Sequence, residues 1–172
     1  PAKLSDEALA LLAAALAAVP HSRLLFRFRD RYASAALRGR VTDVLGGAGV
    51  GAERIEIVER ETPNAHPLDI YNRVDIGLDP TPFTGSTTTF ESLWMGVPVV
   101  TLRGAMMVGR WSASMLKAVD LEGLVAETRD EYGAAAAGLA RDLPALAALR
   151  AGLRQRVGAS ALCDGARRAR QF

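Results

Sequence analysis

Cysteine is almost missing from this sequence: Cys163 stands alone among 172 residues. A single thiol excludes an internal disulfide framework, and the chain therefore reads as the product of a reducing compartment, the cytoplasm. No apolar run approaches the roughly 20 residues needed to span a bilayer. The alanine-rich run from Leu9 to Val19 is preceded by Asp6 and Glu7, not by basic residues, so it is no signal peptide. Charge of one sign is lacking too. Lys plus Arg number 21 against 19 Asp plus Glu, and aromatic residues do not interleave with the basic ones. Neither a nucleic-acid partner nor a membrane surface is indicated. What is abundant is apolar: 49% of residues, in a chain long enough for one domain with a proper core.

The pattern along the chain alternates strand and helix. Ser5 is placed as an N-cap, with Asp6 and Glu7 in the first turn of a helix that runs to about Ala18 and stops at Pro20. Leu24 to Phe28 reads as a strand, Tyr32 to about Leu45 as a helix, and Arg54 to Val58 as the next strand. The glycine cluster Gly46-Gly47-Ala48-Gly49-Val50-Gly51 follows a helix and lacks the G-x-G-x-x-G spacing, so it is a helix end and connection, not a dinucleotide fingerprint. A turn over Thr62 to Pro67, a short helix over Leu68 to Arg73 and a strand over Val74 to Leu78 come next. After the central stretch described below lie a loop over Arg103 to Gly109, a helix from about Arg110 to Val119 and a short strand near Gly123 to Ala126. Helices over Arg129 to Asp142, Leu143 to Val157 and Ala161 to Phe172 complete the chain. Such alternation predicts a parallel sheet with helices on both faces, α/β and Rossmann-like, in a single domain over 1–172.

The stretch that carries chemistry is Asp79 to Thr101, DPTPFTGSTTTFESLWMGVPVVT. A strand ends at Asp79. Two prolines and a glycine force a loop, and Thr87 to Met95 form a helix with Ser86 or Thr87 as N-cap. Phe90, Leu93 and Trp94 share its apolar face, with Trp94 in the core. Gly96 ends it, and Val97 to Leu102 is a buried strand. The first turn of a helix at the carboxyl edge of a parallel sheet offers unpaired N–H groups and a partial positive charge to an anion. Gly85 lets a ligand come close to the backbone. Ser86, Thr87, Thr88 and Thr89 add uncharged donors suited to a diphosphate, and Glu91 one turn later can accept from a ribose hydroxyl. From the residues alone, an ordinary capped helix with a threonine-rich start accounts for the stretch equally well.

The run GSTTTFESLWMGVPVVTLRG, followed by RWSASML, resembles the catalytic region of the protein O-GlcNAc transferase family, including its bacterial SPINDLY-like members. LSDEALALLAAALAAVPHSRLL, IYNRVDIGLD, LPALAALRAGLRQRV and LCDGARRAR agree with it, so the likeness covers nearly the whole chain. The resemblance implies a GT-B fold, two Rossmann-like domains facing across a cleft, of which this chain is the C-terminal, nucleotide-sugar-binding half. A catalytic N-terminal half of the same chain, which would carry the general base, and tetratricopeptide repeats are expected outside it. Transfer of N-acetylglucosamine from UDP-GlcNAc to a protein Ser or Thr hydroxyl is the activity implied. GDP-fucose or UDP-glucose as donor, a GT-B epimerase and a degenerate binding module are the alternatives.

By the same resemblance, Lys3, Thr87 and Thr88 contact the diphosphate. Ser86 stands where some members have histidine, and Glu91 lies at the ribose. Gly96 and Pro98 shape the turn into the next strand. Arg110 either fixes its loop or faces phosphate, the first being favoured. A family histidine near the uracil aligns with Pro67, with His66 one residue earlier as the substitute contact. No Asp-x-Asp motif is present, which agrees with a transferase that needs neither metal nor other cofactor. Cys163, with no base nearby, reads as a packing residue.

Overall fold

The computed structural model describes residues 4–27, 34–58 and 66–170. Lys3, Phe28, Tyr32, the turn at 62–65 and the last two residues lie outside the described residues.

Helix α1 (Asp6–Ala18) begins as its sequence demands. Ser5 is extended and its Oγ accepts from the Ala8 N–H at 3.1 Å, while Asp6 and Glu7 face the positive end of the helix. Its far end is closed by Arg54. That guanidinium donates to the carbonyls of Leu16 (2.8 Å), Val19 (3.1 Å) and Ser22 (2.8 Å), satisfying groups the last turn leaves open. Arg54 was expected to open the second strand. It instead ends a single 3-10 turn, Ala52–Arg54, because its side chain is committed to α1.

Strands β1 (Leu24–Arg27) and β2 (Ile55–Val58) pair in parallel, Leu24 opposite Ile55. Helix α2 (Ala35–Gly47) connects them. A second parallel sheet has the order β3-β4-β5, from β3 (Gly77–Asp79), β4 (Val99–Leu102) and β5 (Val125–Ala126). The expected single sheet is therefore two laddered pieces, and among the described residues no ladder joins β1 to β3. Side-chain packing does the joining: Leu78 of β3 packs against the core under β1 and against the core under β4.

The remaining helices are α3 (Thr87–Trp94), α4 (Trp111–Ala118), α5 (Arg129–Arg141), α6 (Leu143–Ala159) and α7 (Gly165–Ala169). β4 shows why both faces of its sheet need cover. Successive strand residues point to opposite faces. Val100 joins Leu11 and Ala15 of α1 and Tyr132 and Ala136 of α5, whereas Val99 joins Leu93 of α3, Leu116 of α4 and Leu153 and Val157 of α6. Fully burying one such side chain stabilises the fold by about 1.5–3 kcal/mol. The expected α/β architecture with helices on both faces is thus observed.

Gly96 is required at the end of α3. Its φ is +78°, and an added Cβ would lie 2.8 Å from the Arg150 carbonyl oxygen of α6. Trp94 packs against the core of Leu93, Leu153 and Val157 but at its margin: it is part-buried, stacked on Phe90 at 6.2 Å with the Arg154 guanidinium 4.7 Å over its ring. One expected packing role is corrected. Cys163 is exposed, in the turn between α6 and α7, where no core element covers it. No helix among the described residues is long and apolar enough to cross a membrane.

Candidate functional site

β3 delivers the chain to the carboxyl edge of its sheet at Asp79, and α3 leaves from that edge at Thr87. The loop between them is tied down before the helix starts. Thr84 donates from both its N–H (3.0 Å) and its Oγ1 (2.8 Å) to the Val108 carbonyl, in the loop that follows β4. That second loop is itself closed by a Gly104 N–H to Gly109 carbonyl bond of 2.9 Å. Arg110 donates from Nε to the Gly104 carbonyl at 2.8 Å, the loop-fixing role favoured for it. Phe83 meets Trp111 edge to face, with ring centroids 5.4 Å apart.

The polar interior of the molecule is concentrated here. Thr81, Thr84, Thr89, Ser92, Thr101 and Ser112 are the buried polar residues among those described, and all lie between positions 81 and 112. Their organiser is Asp79. Its Oδ1 accepts from the Gly85 N–H at 2.8 Å, and its Oδ2 accepts from Thr101 Oγ1 at 3.2 Å and from Ser112 Oγ. Ser112 is also bonded to Thr89 Oγ1 at 2.8 Å, so Thr89, expected among the ligand-facing hydroxyls, is buried in this network instead. Beneath this cluster, the Tyr132 hydroxyl is buried with no hydrogen-bond partner among the described residues. Burial pushes its pKa well above the ordinary 10.0, and the charge of Asp79 adds to the shift.

Ser86, Thr87 and Thr88 are exposed at the first turn of α3. Ser86 occupies the N-cap position, but its φ of −119° and ψ of −82° lie outside the extended region that capping residues adopt, and its hydroxyl makes no cap bond. The expected serine cap is therefore absent, and the N–H groups of Ser86, Thr87 and Thr88 have no acceptor among the described residues. Gly85 is buried. A Cβ there would sit 2.3 Å from Thr89 Oγ1 and 2.7 Å from Thr88 Oγ1, so α3 itself demands glycine, whatever a ligand requires.

Glu91 lies one turn into α3 and is part-buried. The Tyr71 hydroxyl is 3.3 Å from Glu91 Oε2 and 3.2 Å from the Thr88 carbonyl. Burial, then the charge of Glu91 and the hydrogen bond to it, push the Tyr71 pKa up to about 12. Tyr71 belongs to the 3-10 helix Pro67–Arg73, and His66 caps that helix. His66 Nδ1 accepts from the Leu68 N–H at 3.2 Å, and Asp69 Oδ2 accepts from the His66 N–H at 3.0 Å. With Nδ1 accepting, the neutral ring carries its proton on Nε2. Pro67 suits the first position of this turn, where no N–H is needed, and its carbonyl accepts from Arg27 at 2.7 Å. The structure thus brings Gly85, Ser86, Thr87, Thr88 and Glu91 together and links the turn begun by His66 to them through Tyr71. Lys3 lies outside the described residues.

Sequence reasoning missed Asp79, Thr101, Ser112 and Tyr71 as members of this site. The available signal for Asp79 was an acidic residue closing an apolar strand, at the sheet edge where ligand-binding loops begin. Two surface hollows, of about 250 and 290 Å³, are lined by α1 and Arg129 and by Trp94, Arg150 and Arg154 respectively, and neither takes in the first turn of α3. Among the described residues no group of three or more His, Cys, Asp or Glu could hold a metal ion.

Comparison with known proteins agrees with this architecture. Residues 3–172 match the family model described as glycosyl transferase family 41. The chain is 39% identical over 166 residues to the "Probable UDP-N-acetylglucosamine–peptide N-acetylglucosaminyltransferase SPINDLY" of Solanum lycopersicum, covering 96% of this chain and 18% of that protein. It is 36% identical over 164 residues to the protein of the same name in Arabidopsis thaliana, covering 95% and 18%. A solved mutant of Thermobaculum terrenum O-GlcNAc transferase superposes with a TM-score of 0.77 at 42% identity, over 87% of this chain and 28% of that one. The chain spans less than a fifth of the length of the SPINDLY relatives it matches. It belongs to glycosyl transferase family 41.

Proposed function

We propose that this chain is the nucleotide-sugar-binding half of a glycosyltransferase that moves N-acetylglucosamine from UDP-GlcNAc to Ser or Thr hydroxyls of proteins. The observation that carries the reading is the first turn of α3. It stands at the carboxyl edge of a parallel sheet with its N–H groups uncapped, ringed by the exposed hydroxyls of Ser86, Thr87 and Thr88. Three free donors and the positive end of a helix suit a diphosphate. Glu91, held by Tyr71, is the acceptor for a ribose hydroxyl. Lys3 and His66 are the further donor contacts implied by the family likeness. The printed names of the relatives support GlcNAc as the sugar and a polypeptide as acceptor.

Negative charge grows on the departing UDP as the glycosidic bond breaks. Fixed N–H groups and hydroxyls aimed at the diphosphate stabilise that charge more than the charge of the bound donor, and this difference lowers the barrier. No metal or cofactor is assigned a role. The general base and the acceptor groove belong to a partner domain of the same chain that packs on the carboxyl edge.

Calorimetric titration of UDP, GDP and NAD into the native protein, beside Thr88→Ala and Glu91→Ala, tests the reading. UDP alone should bind, and each substitution should weaken it by about 1–3 kcal/mol, the cost of an unmade hydrogen bond. Preference for GDP would move the donor to a guanosine sugar. No binding of any of the three would leave a degenerate module as the account of the fold.

A further inference from the structure

An acidic side chain just ahead of a helix ordinarily caps it, closing the first-turn N–H groups. Asp79 does something else. Its Oδ1 takes the N–H of Gly85, the residue before the N-cap position, and its Oδ2 takes the hydroxyls of Thr101 on β4 and Ser112 in the first turn of α4. The one Ser112 proton lies between two acceptors, the Asp79 carboxylate and the Gly85 carbonyl 3.1 Å away. Thr89 is therefore the donor in its 2.8 Å bond with Ser112, and the chain of bonds runs from Thr89 to Ser112 to Asp79. Thr89 and Ser112 are buried, and so the third threonine of the run points inward while its two predecessors face solvent.

This arrangement has two consequences. The Gly85 amide is drawn toward β3, and the backbone then enters α3 through a Ser86 conformation that forbids a serine cap. The N–H groups of Ser86, Thr87 and Thr88 stay open as a result. The carboxylate, which would repel an approaching polyanion if it were bare, is also enclosed by three donors from three separate segments. The geometry points to Asp79, acting through Ser112 and Thr89, as a positioning residue that presets the turn at 85–89 to receive a pyrophosphate. This rests on the nucleotide-binding reading above.

The test uses the native protein with Asp79→Asn, the milder Ser112→Ala should Asp79→Asn fail to fold, and Asp142→Asn as control. Asp142 is also a bonded carboxylate, accepting from the Ala145 N–H at 2.9 Å, but it caps α6 away from the site. UDP and uridine are titrated side by side well below the unfolding temperature, and amide exchange is followed at 85–89. Asp79→Asn should weaken UDP by about tenfold to a hundredfold, the effect of one lost charged hydrogen bond. Uridine, which has no phosphate, should change less than about twofold, and the Gly85 amide should exchange faster, because the neutral asparagine oxygen accepts from it more weakly than the carboxylate. Asp142→Asn should leave all three unchanged. Equal losses for UDP and uridine, or an unchanged Gly85 amide, would overturn the assignment. If the wild-type protein binds neither compound, the nucleotide reading fails by itself. Exchange then decides the positioning role: loss confined to 85–89 in Asp79→Asn sustains a preset turn, and a uniform change or none rejects it.

Discussion

Helices α1 and α3 both have serine at the N-cap position, and the two serines behave in opposite ways. Ser5, at φ −69° and ψ 167°, bonds the Ala8 N–H and closes its helix. Ser86, at φ −119° and ψ −82°, accepts the Phe90 N–H at its carbonyl, but its hydroxyl caps no first-turn N–H of α3. Residue type does not distinguish them. The difference lies in the residue before Ser86: Gly85 donates its N–H to Asp79, six residues earlier at the end of β3, and the chain enters α3 from that anchored glycine. A cap is a local device only where nothing further off competes for the same backbone. α1 is built to hold the fold, with Leu9 and Leu12 in one core and Leu11 in another. The start of α3 is left with its first-turn N–H groups uncapped by any side chain.

The contrast can be broken from either side. Leu9→Ala in α1 should cost about 2–5 kcal/mol of stability in urea unfolding, as deletion of a fully buried leucine does, with nucleotide affinity kept at temperatures where the variant stays folded. Loss of affinity without loss of stability would show that α1 reaches the site. Gly85→Ala should cost about 1–3 kcal/mol, because the new methyl group overlaps Thr88 and Thr89 and must displace the first turn of α3. Here affinity should fall with stability, and a variant that binds normally would show that the turn is not set by that contact. Ser5→Ala should cost about 1 kcal/mol and Ser86→Ala less than about 0.5 kcal/mol, since only the first removes a cap bond. Equal costs would erase the distinction between the helices.

The smallest effect is a pH dependence at Tyr71. Its pKa is about 12 in the folded protein against an ordinary 10.0. The folded state holds this proton more tightly than the unfolded chain does, so the contribution is intact below pH 10 and is lost as pH rises through about 12. Tyr71→Phe should remove that alkaline step from the stability profile, and its persistence would assign the step to another group.

Much of the fold was readable because it follows from local rules. The Ser5 cap, the stop at Pro20, the breaker at Gly96 and the continuous apolar run into Leu102 each point to the element observed, and alternation of strand and helix is enough to imply a parallel sheet with two covered faces. The element ends were less readable where a side chain was claimed from far away. Arg54 left its strand because α1 needed its guanidinium, and Trp94 stayed at the margin of the core beside Arg154. The candidate site divides in the same way. The hydroxyl-rich turn and Glu91 lie within six residues of one another, so a sequence pattern finds them. Asp79, Thr101 and Ser112 are spread over 34 positions, and Tyr71 enters from a different segment; nothing periodic links them.

What the sequence determined by itself was therefore the inventory: helices with their faces, strands with their order, and a threonine-rich turn at the start of α3. Tertiary structure alone decided that this turn stays open. The backbone at Ser86 is set by a carboxylate six residues before Gly85 and by a serine 27 residues after it. A hydrogen-bond network closed across β3, β4, α3 and α4 has no local signature, because each of its bonds depends on the packing that brings those elements together.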